Sequence, residues 1–145
     1  MIVGIVGSEA AKFTVRGKAR ANDLILELLC QPGVTEVVSG DCHLGGIDQW
    51  AVEIGTGKGL RVTEFPPQVK SWEQGYKPRN LQIAHRSDEV HCITVDRLPE
   101  GFTGMRFQLC YHCGTTDHVK SGGCWTMKQA IQMGKPGILH VIENF

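Results

Sequence analysis

Charge of neither sign is in excess. Fifteen Lys and Arg stand against fifteen Asp and Glu in 145 residues, so the basic surplus that marks a dedicated nucleic-acid binder is missing. No apolar run approaches the roughly 20 residues of a membrane span. Met1 leads directly into IVGIVG without a signal-peptide pattern, so the expected location is cytoplasmic, with no membrane partner. Repeats, low-complexity tracts and linkers are also lacking, and the length suits one domain, residues 1–145, with a proper core. Neither G-x-G-x-x-G nor G-x-x-x-x-G-K-[ST] occurs, which argues against a dinucleotide dehydrogenase and against a P-loop phosphotransferase.

What is present alternates. Short apolar runs at residues 2–7, 34–39, 60–65, 89–95 and 138–142 read as strands. Between them lie helical patterns. Ala21, Leu24, Ile25, Leu28 and Leu29 form one face. Trp50, Ala51 and Ile54 form a second, and Leu81, Ile83 and Ala84 a third after Pro78. Trp125, Ile131 and Met133 form the last. Strand–helix alternation at this spacing predicts an α/β fold, a doubly wound parallel sheet of about five strands. In order 3-2-1-4-5, the turns after strands one, two and four would meet at the carboxyl edge, where open parallel sheets bind ligands.

Those turns are rich in glycine. They are Gly7-Ser8, the run Gly40 to Asp48, and Ser121-Gly122-Gly123 opening the last helix. Glycine lets backbone N–H groups approach a ligand, and the first turn of a helix carries partial positive charge. Ser121 and Thr126 add hydroxyls. The expected use is a cradle for a phosphate or a sugar edge. A tight turn with a helix cap would need the same residues.

Six cysteines without a secretory signal read as thiols, metal ligands or catalytic groups rather than disulfides. Residues 96–120 form a Cys/His-rich insert after strand four with no periodicity. Cys110, Cys113, His118 and Cys124 spell C-x2-C-x4-H-x5-C, a donor set suited to a structural zinc ion, with His112 as a spare ligand. No cofactor is required by the reading. Two alternatives stay open: thiols lining the cleft, or Cys124 as a nucleophile with His112 or His118 as its base. Cys30 and Cys92 read as core thiols, and His91 and His140 as satisfied strand imidazoles. Cys42 and His43 lie in the first glycine turn.

VVSGDCHLGGIDQWA, YKPRNLQIAHRSDEV and SGGCWTMKQAIQMGKPGILHVI, in that order, resemble the glycine turns and arginine helix of the SLOG superfamily. The superfamily includes the DNA-processing protein A domain, phosphoribohydrolases and sensors of nucleotide signals. The resemblance covers nearly the whole chain outside the insert. It implies a Rossmann-like fold, a nucleotide-type ligand and a homo-oligomer such as a dimer; Trp72, Tyr76 and the insert are the candidate contact surface. Carried over, Gly45, Gly46 and Asp48 match the first turn, Arg79 and Asn80 the arginine helix, and Gly122, Gly123 and Thr126 the second turn. Arg79, with its planar and permanently charged fork, becomes the expected phosphate clamp. The hydrolases end their second turn in a catalytic glutamate where this chain has Gln129, and Trp125 replaces a glycine. The leading expectation is therefore a sensing or sequestering nucleotide binder. An N-glycosidase would have to use Asp48 or Glu64 as its carboxylate. A single-stranded DNA-binding module is the third class, disfavoured by the charge balance.

Overall fold

The computed structural model describes all 145 residues. Five strands, β1 (Ile2–Gly7), β2 (Glu36–Gly40), β3 (Arg61–Phe65), β4 (Glu89–Val95) and β5 (Gly137–Ile142), form one parallel sheet in the order β3-β2-β1-β4-β5. This is the expected order. Four α-helices cover the sheet: α1 (Val15–Leu29), α2 (Ile47–Gly57), α3 (Lys77–Arg86) and α4 (Gly123–Gln132). Val3 and Ile5 of β1 point into the layer of α1 and α2 with Ile25, Leu29, Val37 and Ile93. Val6 points the other way, towards α3 and α4, with Ile83, Val90, Cys92 and Met127. Burial on both faces explains why the strands are continuous apolar runs rather than alternating ones.

Local chemistry sets the ends of the elements. Thr14 caps α1 by accepting from the Gly17 amide at 2.9 Å. Asn144 accepts from the Thr14 amide at 2.9 Å, tying the chain's end to the start of that helix. α2 springs from Gly46, whose φ of 90° and ψ of −147° suit glycine alone. A Cβ there would also lie 2.6 Å from the Ala10 nitrogen. A wide turn at Trp72–Tyr76 leads into α3, with Pro78 in its first turn, where a missing N–H does no harm.

At the amino end of the sheet, buried Glu36 accepts from Arg86 Nη2 at 2.7 Å and Nε at 2.9 Å, and from Thr63 at 3.0 Å. The Arg86 hydrogen bonds hold its carboxyl below the ordinary glutamate value. Its contribution to stability is therefore complete above that ordinary value and is lost as acid titrates the lowered one.

Several expectations need correcting. The buried face of α4 is Cys124, Met127 and Ala130, not Trp125, Ile131 and Met133; Ile131 is 49% exposed. Apart from Met127 that face is small, with Gly123 at its start, because α4 lies against the sheet: a Cβ on Gly123 would sit 2.9 Å from the Gly7 nitrogen. Cys30 caps the end of α1 and is exposed, one step off the buried face, whereas Cys92 is in the core. His91 Nδ1 meets His140 Nε2 at 2.9 Å, but the buried His91 Nε2 has no hydrogen-bond partner, with Glu89 at 3.4 Å. Burial, then the neighbouring His91, pushes His140 down to about 4. No helix is long and apolar enough to cross a membrane.

Candidate functional site

Strands β1 and β4 are neighbours whose onward connections run in opposite directions along the sheet, and this divergence opens a crevice at their carboxyl ends. A cavity of about 760 Å³ lies there, within the size range of small-molecule sites. Gly7, Ser8 and Glu9 reach it from β1, and Cys42, His43 and Leu44 from the turn after β2. Asp48 enters from the first turn of α2, and Arg79 with Asn80 from α3. Ser121, Gly122, Gly123, Trp125 and Thr126 complete it at the start of α4.

The polar groups at its base are ordered. Ser8 Oγ and Thr94 Oγ1 are 2.8 Å apart, and Thr94 donates to the Val119 carbonyl at 2.7 Å. Thr94 has one proton, so Ser8 must donate to it, leaving the Ser8 oxygen as an acceptor. Ser121 Oγ accepts from the Gly123 amide at 3.1 Å, fixing the first turn of α4. Gly122 stands open, with nothing within 4 Å of where a side chain would begin.

Arg79 is 8% exposed. Its Nε donates to Asn80 Oδ1 at 2.7 Å, and Nη1 makes only a long contact with the Phe65 carbonyl at 3.5 Å. Five N–H donors thus have few partners within the protein. Tyr76 lies under the guanidinium with its ring centre 5.5 Å away. Asp48 is buried close by, and a Cβ on Gly40 would run into Arg79 and lie 2.7 Å from Asp48 Oδ2. Gly40 is therefore the floor beneath this pair rather than part of the lining.

Burial pushes the Asp48 carboxyl up to about 6, against the opposing pull of the Arg79 charge, the Ser39 hydroxyl and the Gly7 amide. The folded protein therefore keeps this proton to a higher pH than the unfolded chain does, and stability falls as pH rises from about 4 to about 6. Asp48→Asn should accordingly raise the melting temperature at pH 7.5. A gain of order 2–3 kcal/mol is expected there, shrinking towards pH 4. An equal gain at both pH values, or none, would contradict this account. A buried carboxylate kept at the expense of stability is what a functional group in a cleft looks like.

Aromatic side chains stand around the mouth, exposed except for the half-buried Trp125. Trp72 and Trp125 meet edge to face at 4.9 Å, and Phe107 and Tyr111 at 5.6 Å. Lys120 Nζ lies 5.0 Å from the Phe107 ring centre and 5.2 Å from that of Tyr111. Lys12 donates to the Lys120 carbonyl at 3.0 Å, and burial lowers its pKa.

Of the residues expected at the ligand, Gly7, Ser8, Asp48, Arg79, Asn80, Ser121, Gly122, Gly123 and Thr126 line one cavity. Gly40, Gly45 and Gly46 do not; the last two shape the turn that carries Asp48, with φ of 73° and 90°. Glu64 is the clear correction. It is exposed on β3, an edge strand two positions from β1, and stays outside the cavity. Gln129 also lies outside. Glu9 and Lys12 were missed, although any turn after β1 must reach this edge. Trp72 and Tyr76 serve the cavity as well as the surface.

Beside the cavity, Cys110, Cys113, His118 and Cys124 bring their ligand atoms within 4.8 Å of one another. A tetrahedral zinc with Zn–S near 2.3 Å holds its ligands about 3.5–3.8 Å apart. Cys124 Sγ and His118 Nε2 are already at 3.8 Å. The Gly114 and Cys113 amides fold back on the Cys110 carbonyl at 2.7 and 3.1 Å, curling the first pair of thiols around one point. His118 Nδ1 meets Asp117 Oδ1 at 2.7 Å. That contact fixes the tautomer and turns the Nε2 lone pair into the cage, the usual outer support of a metal-bound imidazole. Burial, then the neighbouring thiols, pushes Cys113 up to about 12, a cost that a bound cation removes. The group can hold a metal ion. Cys124 is buried with its thiol in this cage, which leaves no exposed nucleophile there. His112, the spare, lines the cavity instead.

Comparison with protein-family models, with curated proteins and with solved structures finds no match for the chain. The function is therefore read from the geometry of the site.

Proposed function

We propose that this chain binds a nucleotide or nucleotide-derived ligand in the crevice over β1 and β4, as a sensing or sequestering protein. The observation that carries the reading is Arg79: a buried guanidinium with unspent donors in a cavity is a standing demand for an anion. The positive end of α4 faces the same space through Gly122 and Gly123. Aromatic faces at the mouth suit a base, and Asp48 and Asn80 suit sugar hydroxyls. The motif resemblance to the SLOG superfamily points the same way.

The test is thermal denaturation with a panel of nucleoside monophosphates, cyclic nucleotides and ADP-ribose. At least one at millimolar concentration should raise the melting temperature by several degrees, as mass action requires of a ligand present at about 100 times its Kd. No shift with any member would defeat the reading.

One observation favours a second reading, N-glycosidic cleavage of a nucleoside monophosphate. Asp48 titrates at about 6 inside the cavity, where a carboxylate can steady a sugar cation or activate water. Release of free base in the same incubations, lost in Asp48→Asn, would select it. For the cage we propose zinc, because three thiolates and an imidazole fill a tetrahedral shell of that ion. With no open coordination position the role would be structural.

A further inference from the structure

The insert, residues 96–120, contains no helix and no strand beyond one bridge between Cys110 and Thr115. Its only buried residues are Cys110 and His118, both members of the metal cage. Met105, Phe107, Leu109 and Tyr111 face outwards, with Met105 75% and Tyr111 58% exposed. The two ends of the insert are held by hydrogen bonds from Asn144 to Asp96 and Arg97 and from Thr94 to Val119, and between those ends the cage is the only fully buried cluster. Yet Phe107, Tyr111, His112 and Lys120 of this segment form one wall of the cavity.

We propose that the metal site is a coupling element: ion binding assembles this wall and the first turn of α4 around the ligand, and ligand binding in turn retains the ion. The proposal rests on the nucleotide reading of the cavity. Each cage residue lies within two positions of the lining along the chain. Cys110 precedes Tyr111, Cys113 follows His112, His118 lies two residues before Lys120, and Cys124 sits between Gly123 and Trp125. Three ligands come from the insert and the fourth from α4, so the ion is the rivet between them. Without it, the carboxyl end of the insert stays tied through Thr94 to Val119 and Lys12 to Lys120. The stretch carrying Phe107, Tyr111 and His112 loses its only buried anchor. Arg79 and Asp48 belong to the sheet-packed helices and keep their places. Metal loss should therefore weaken a nucleotide without removing its anion anchor.

The experiment compares AMP and ADP-ribose binding by calorimetry to zinc-loaded and chelator-stripped protein, with circular dichroism checking that the sheet persists. Stripping should weaken binding of whichever probe binds by about tenfold or more, inside the usual range of coupling between sites. By reciprocity, saturating probe should slow transfer of zinc to a chromophoric chelator and tighten zinc affinity by the same factor. Equal probe affinity in the two states would overturn the coupling and leave the cavity reading standing. No binding of either probe to the zinc-loaded protein would overturn both. Should stripping unfold the sheet, Asp117→Asn takes its place. It keeps all four ligands but replaces the carboxylate that supports His118 with a neutral and weaker acceptor, so zinc should bind about 10-fold more weakly. Probe binding should then fall in step with zinc occupancy as free zinc is lowered. Native probe affinity in zinc-free Asp117→Asn would overturn the proposal.

Discussion

Arg79→Gln should weaken nucleotide binding by about two orders of magnitude, while the ligand-free protein melts within a few degrees of the unmodified chain. The size follows from the site. A phosphate held by a buried guanidinium gains charge-assisted, paired hydrogen bonds, and truncating such a partner typically costs about 2–5 kcal/mol. The modest effect on folding follows from the same geometry. The guanidinium makes one good internal hydrogen bond, to Asn80 at 2.7 Å, and one long contact with Phe65 at 3.5 Å, and its lost attraction for Asp48 is offset by relief of its own burial and by protonation of that carboxyl. Glutamine keeps a donor for Asn80 and fills part of the volume. Arg79→Lys should recover only part of the affinity, because an ammonium cannot reproduce the planar fork. Calorimetry with whichever nucleotide gives the thermal shift decides the matter. Unchanged affinity in Arg79→Gln would remove the anion anchor and with it the reading of the cavity.

The parts of this molecule that could be read in advance are those in which residue type and period say one thing. IVGIVG and EVHCITV are short apolar runs bounded by turns, and they became β1 and β4, side by side at the centre of the sheet. Parallel alternation then placed the three turns at one edge, which is why Gly7, Asp48 and Gly122 could be brought together from positions far apart in the chain. The buried face of α4 was harder. Gly123, Cys124 and Ala130 pack there because they are small, and smallness does not register as an apolar stripe. Trp125 registers strongly but turns into the cavity. Glu64 failed for another reason: a strand's carboxylate can be placed on a strand, but its distance from a crevice depends on strand order, and β3 is an edge strand. In the insert no period exists to be read. Its donor spacing alone revealed the cage, while Phe107 and Tyr111 owe their place at the mouth to chain folding around that cage.

Cys110→Ser should abolish zinc retention, whereas Cys92→Ala should leave it intact. The contrast is informative because simple proximity does not separate the two. Cys92 Sγ lies 3.8 Å from Cys124 Sγ, as close as His118 Nε2 does. Cys92, however, projects from β4 into the core beside Val90 and Met127, outside the group of four whose ligand atoms converge. Elemental analysis of protein purified without chelator should find about one zinc per chain in the unmodified protein and in Cys92→Ala, and almost none in Cys110→Ser. Stability should follow the metal. Cys92→Ala deletes a small buried side chain and should cost about 1–2 kcal/mol regardless of chelator. Cys110→Ser forfeits the free energy of ion binding where it is spent on ordering residues 96–120, so those residues should become the first point of protease cleavage. Addition of chelator should bring the unmodified chain to the same cleavage pattern and leave Cys110→Ser unaffected. Retention of zinc by Cys110→Ser, or its loss from Cys92→Ala, would mean that the ion sits on a different set of thiols from the one this geometry selects.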